Sequence, residues 1–105
     1  MIQEEIRTLL DSPPLGVDSP SLDAIEHTLT AGYARALALE AERWRLERRI
    51  AGVAAQLAEP SGELRHSELI QLGERLAEAD GDLTRLRRLL VSLRNRADEV
   101  RASAA

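Results

Sequence analysis

The chain has 105 residues, enough for one domain, and a net charge of −4. It contains one Trp, one Tyr, no Phe and no Cys, which excludes a disulfide scaffold and an aromatic-filled core. No apolar run approaches the roughly 20 residues of a membrane span, and the acidic balance disfavours nucleic acid as a partner, so the expected setting is cytoplasmic with no membrane contact.

Residues 1–10, MIQEEIRTLL, place Ile2, Ile6, Leu9 and Leu10 on one helical face. The segment is acidic, too short for a signal peptide, and below the ~12–15 residues at which an isolated helix holds. Residues 11–21, DSPPLGVDSPS, read as a Pro/Ser/Gly linker. Ser19 followed by Pro20 predicts an N-cap and first helical position, with Asp23 favouring the positive helix end. The expected organisation is an N-terminal segment with linker over 1–18 and a helical body over 19–105.

A first long helix is predicted over 20–59. Its apolar seam is Leu22, Ile25, Leu29, Gly32, Ala36, Leu39, Arg43, Leu46, Ile50, Val53 and Leu57, interrupted by Gly32 and Arg43. Pro60-Ser61-Gly62 ends it and turns the chain. A second helix is predicted over 63–101, with Leu69, Leu72, Leu76, Ala79, Leu83, Leu86, Leu90, Leu93, Ala97 and Val100 in alternating steps of three and four. Gly81 is its single candidate break, and the heptad phase passes through it unchanged.

Two helices of similar length joined by a three-residue turn lie antiparallel. Folding about Ser61 pairs Val53 with Leu69, Ile50 with Leu72, Leu46 with Leu76, Arg43 with Ala79, Leu39 with Leu83, Ala36 with Leu86, Gly32 with Leu90, Leu29 with Leu93, Ile25 with Ala97 and Leu22 with Val100. Small residues thereby face large ones, as an interdigitated core requires. Arg43 is expected to reach Glu78 or Asp80. Charge follows the same register: acidic Glu63, Glu68, Glu74, Glu78, Asp80 and Asp82 lie beside Arg43, Arg45, Arg48 and Arg49. The basic second half of helix two lies beside Asp23, Glu26 and Glu40. The fold class is all-α: a long antiparallel helical hairpin, a two-stranded coiled coil, with a short N-terminal amphipathic segment.

A second apolar stripe lies off the seam. Tyr33, Leu37, Ala41, Trp44, Ala51 and Ala55 share one side of helix one; Ile70, Ala77 and Val91 share a face of helix two, with Leu89 beside the seam. These residues are either surface apolars, a dock for the N-terminal segment, or the interface of a homodimer forming a four-helix bundle. The last reading is preferred, with Tyr33, Leu37, Ala41, Trp44, Ala51, Ile70, Leu89 and Val91 as the interface.

Signals for catalysis are thin. Glu63-Leu64-Arg65-His66 has the E-x-x-H spacing of di-iron bundles but occurs once, in the first turn after a bend. His27 follows Glu26 with no further partner in the pattern, and no nucleophile constellation or phosphate-binding glycine loop is present. No catalytic, cofactor-binding or metal-ligating residue is assigned, and no cofactor is expected. All fourteen basic residues are Arg, the mark of a GC-rich coding sequence or of forked guanidinium contacts. Arg85, Arg87, Arg88, Arg94 and Arg96 are candidates for phosphate or partner contact.

The stretch Asp80, Thr84, Arg87, Val91 and Asn95 resembles the E-x3-S-x2-R-x3-Q-x3-D helix motif of small coiled-coil anti-sigma factors that bind cyclic di-GMP. Arg87 is identical, Val91 lacks the amide, and helix one carries no second copy in phase. The resemblance implies a helical hairpin and no ligand residue. The expected function is a non-catalytic coiled-coil interaction or scaffold protein that self-associates and presents helix surfaces to a protein partner. The alternative is a transcription regulator of anti-sigma type that binds a sigma factor, a nucleotide second messenger or DNA.

Overall fold

The buried positions of two long α-helices all fall on the seam read in the sequence. The computed structural model describes residues 1–14, 16, 18–57 and 62–104, with side chains in the last stretch described for 65–103. The elements are α1 (Ile2–Asp11), α2 (Leu22–Ala55) and α3 (Gly62–Ala104). The long helices α2 and α3 pack against each other as a hairpin, and no strand occurs among the described residues. Apart from Ile6, every buried apolar side chain among the described residues is one of the seam residues named above. Helix α3 runs unbroken through Asp80-Gly81-Asp82.

Helix α1 follows from local chemistry. Glu4 and Glu5 sit in its first turn, where the helix dipole favours negative charge. It stops at Asp11 because Ser12 precedes a proline and is extended, at φ −76° and ψ 153°. The linker then turns at Gly16, whose φ of +102° belongs to a region that suits glycine. Its carbonyl accepts both the Ser19 N–H at 3.2 Å and the Ser19 hydroxyl at 2.8 Å.

That turn corrects the predicted start of helix one. Ser19's hydroxyl is engaged with Gly16, so it does not cap. Ser21 caps instead, its Oγ accepting the Ala24 N–H at 3.1 Å. Helix α2 also ends earlier than expected, at Ala55, and the chain tightens into two turns closed by Gln56 N–H to Val53 O and Leu57 N–H to Ala54 O. Of the predicted turn residues, Pro60 and Ser61 lie outside the described residues, and Gly62 is the first residue of α3, which runs on to Ala104 rather than ending at 101.

The packing forms two units. One comprises Met1–Leu37 with Thr84–Ala105, so α1 belongs with parts of both long helices. Its buried residues are Ile6, Ile25, Leu29, Ala36, Leu86, Leu90, Leu93 and Ala97, together with Gly32. Ile6 is completely buried, so residues 1–10 pack on their own chain. Gly32 creates the room: a Cβ there would meet Leu90 Cδ2 and also stand 3.5 Å from Ile6 Cδ1. Arg101 bonds Glu26 at 2.6 Å, as the antiparallel register requires.

The other unit is Ala38–Leu83. Leu46, Val53, Leu72 and Ala79 form one cluster, flanked by Ile50, Leu69 and Leu76, which unites three of the predicted layers and adds Ala79 from a fourth. Two ion pairs mark the same register: Arg43 Nη1 to Asp80 Oδ1 at 3.2 Å and Arg49 Nη2 to Glu68 Oε1 at 2.6 Å. Arg43 therefore takes the second of its two predicted partners. No side-chain polar atom is buried without a hydrogen bond among the described residues.

Candidate interaction surfaces

Both aromatic residues of the chain lie outside its core. Tyr33 is 44% exposed and Trp44 57%, and Leu37, one turn from Tyr33, is 67% exposed. Ala41 and Ala51 are exposed as well. The reason is angular: at about 100° per residue Leu37, Ala41, Trp44 and Ala51 fall on the side of α2 turned away from its seam, and Tyr33 flanks the seam. Tyr33 and Leu37 belong to the unit that holds α1, whereas Ala41, Trp44 and Ala51 belong to the Ala38–Leu83 unit. On α3, Ile70 and Val91 are exposed and Leu89, beside the seam, is half-buried.

The Ala38–Leu83 unit also carries an open groove of about 480 Å³, lined by Trp44, Arg45, Arg48, Arg49, Gly52, Val53, Gln56, Arg65 and Glu68. Helix periodicity builds it. Arg45, Arg49, Gly52 and Gln56 recur at three- and four-residue steps along one side of α2, roughly 90° round from the apolar stripe. Arg65 and Glu68 come from the first turns of α3.

Four guanidiniums thus share this space with one carboxylate. Glu68 ties two of them, accepting from Arg49 at 2.6 Å and from Arg65 at 3.3 Å. The Arg49 hydrogen bond, reinforced by both positive charges against a smaller opposing effect of burial, holds the Glu68 carboxyl below its usual range. Arg48 lies over the Trp44 ring, its guanidinium carbon 4.7 Å from the centroid. Arg45 and Arg48 have no carboxylate partner among the described residues. The antiparallel register predicts Arg43, Arg45, Arg48 and Arg49 beside the acidic half of helix two, and of these Arg43 and Arg49 pair there. The legible signal was the spacing of arginines around a glycine on one helix side.

The arginines singled out on helix two divide. Arg96 is turned inward, only 16% exposed, and donates from Nη2 to Leu10 O at 2.9 Å and from Nη1 to Ser12 O at 3.1 Å. Helix α1 has no basic residue in its last turn, so Arg96 supplies from α3 the positive charge and donors its C-terminus lacks. Arg85 and Arg87 are exposed and engaged with other groups. Arg88 and Arg94 are exposed.

His66 is exposed, and the Glu63 side chain of the E-x-x-H spacing lies outside the described ones. No group of three metal-ligating side chains gathers among the described residues. No helix of the described residues is long and apolar enough to cross a membrane. No protein-family model, no curated protein and no solved structure matches this chain.

Proposed function

We propose that this protein is a non-catalytic, cytoplasmic interaction protein that self-associates as a homodimer and presents its remaining helix surfaces to a protein partner. The observation that carries the reading is the placement of the aromatics. A chain with two such side chains leaves both exposed along one helix. Aromatic side chains bury 150–250 Å² each and anchor the centres of interfaces. The seam is already filled by aliphatic residues, so Tyr33, Leu37 and Trp44 have no place in it.

A second copy is the occupant favoured by composition. The exposed side of α2 pairs large apolar residues with Ala41 and Ala51, the large-and-small alternation that lets two identical helices interdigitate. Light scattering on the full chain tests this. The expected mass is twice 11.6 kDa, and Leu37→Glu is expected to shift the distribution to monomer. A mass of one chain across a wide concentration range overturns the proposal.

A further inference from the structure

The groove of the Ala38–Leu83 unit is strongly cationic in a chain that is acidic overall. Glu68 neutralises only its Arg49 and Arg65 side, and the indole beneath Arg48 offers a ring face and no charge. Like charges held this close repel, and a ligand that brings several negative oxygens relieves the repulsion. Guanidinium forks match phosphoryl oxygens in pairs, which makes phosphate the anion these side chains fit best. Gly52 has nothing within 4 Å of where a Cβ would stand, leaving the backbone side of the groove open for a ligand to approach.

We infer that this groove binds a polyphosphate group, carried either by a nucleoside di- or triphosphate or by an inorganic polyphosphate. Arg45 and Arg48 make the primary contacts, because their charge is uncompensated. Arg49 and Arg65, held by Glu68, form the opposite wall. Trp44 and Arg48 form the edge at which the groove meets the apolar stripe, while Arg45 and Arg49 lie roughly 90° round α2 from that stripe.

Trp44, the chain's single tryptophan, lines this groove, so its fluorescence responds to a ligand here, and titration at two protein concentrations separates that response from self-association. Tripolyphosphate, pyrophosphate and ATP are titrated into the full-length protein at low salt, with calorimetry as a second readout and sulfate at matched ionic strength as the control. A saturable response to tripolyphosphate, absent with sulfate, is expected. Arg45→Gln is expected to weaken it by about tenfold with the helical melting curve preserved, while Arg88→Gln outside the groove leaves it unchanged. ATP tighter than tripolyphosphate supports a nucleotide as the carrier; equal affinity supports an inorganic chain. No saturable response, or equal losses in Arg45→Gln and Arg88→Gln, overturns the site.

Discussion

Gly32 faces Leu90 so closely that a single added methyl group would stand 2.5 Å from Leu90 Cδ2. Leu90 is itself almost completely buried, so its terminal methyl can move only by displacing neighbours in the packed unit. A glycine inside a long helix costs about 1 kcal/mol relative to alanine, and here the missing side chain is what admits both Leu90 and Ile6.

Gly32→Ala is therefore expected to destabilise the fold by about 1 kcal/mol, since overpacking costs about 1–3 kcal/mol and outweighs the gain in helix propensity. Gly73→Ala is the matched contrast. Its added Cβ meets nothing within 4 Å, so up to about 1 kcal/mol of stabilisation is expected. Urea melts of the two variants should move in opposite directions; a shared direction would show that Leu90 repacks freely.

Arg43 occupies a seam position facing small Ala79, but its side chain is 36% exposed and its head reaches Asp80 and, at 3.9 Å, Glu47. The stem packs while the charge stays near water, and a pair so exposed contributes about 0–1 kcal/mol. Arg43→Leu is expected to be neutral or stabilising in denaturant melts. A loss of several kcal/mol would mean that the ion pair is an obligatory part of the packing.

Arg96 fastens α1 through two hydrogen bonds to its C-terminal carbonyls. Arg96→Met keeps much of the stem and removes both donors. The expected loss is about 2 kcal/mol, concentrated in α1. Hydrogen exchange should rise over residues 2–11 while residues 38–55 and 65–83 stay protected. Arg96→Lys is expected to restore only part of the protection, because an ammonium cannot reproduce the fork that spans Leu10 and Ser12. Unchanged exchange in α1 would assign its docking to Ile6 alone.

Glu68 provides a pH signature. Its carboxyl is held below the usual glutamate value of 4.5, first by the Arg49 hydrogen bond. The folded state therefore binds this proton less readily than the unfolded chain does. The stabilisation is fully present above the unfolded value and is lost as pH falls through the lowered folded one. Glu68→Gln should melt below the parent at neutral pH, and the gap should close as the solution is acidified below about pH 4. A gap that persists at low pH would rule out ionisation as its source.

The heptad period of the long helices was legible in the sequence, and with it the antiparallel pairing, the fit of Gly32 to Leu90 and the reach of Arg43 to Glu78 or Asp80, of which the structure takes Asp80. These follow from spacing alone, because residues three and four apart share a helix face and a short turn pairs the two faces in reverse order. The Ser21 cap and the early end of α2 were not legible, since each depends on which of several adjacent polar groups a local turn engages. The docking of α1 was decided only in three dimensions. Its ten residues carry an apolar face but no indication of where that face goes, and its anchor, Arg96, lies more than eighty positions along the chain from the carbonyls it caps. The arginine groove was settled the same way: spacing aligned Arg45 and Arg49 on α2, but their enclosure with Arg65 and Glu68 depended on α3 lying alongside, a contact between side chains that no periodicity within one helix encodes.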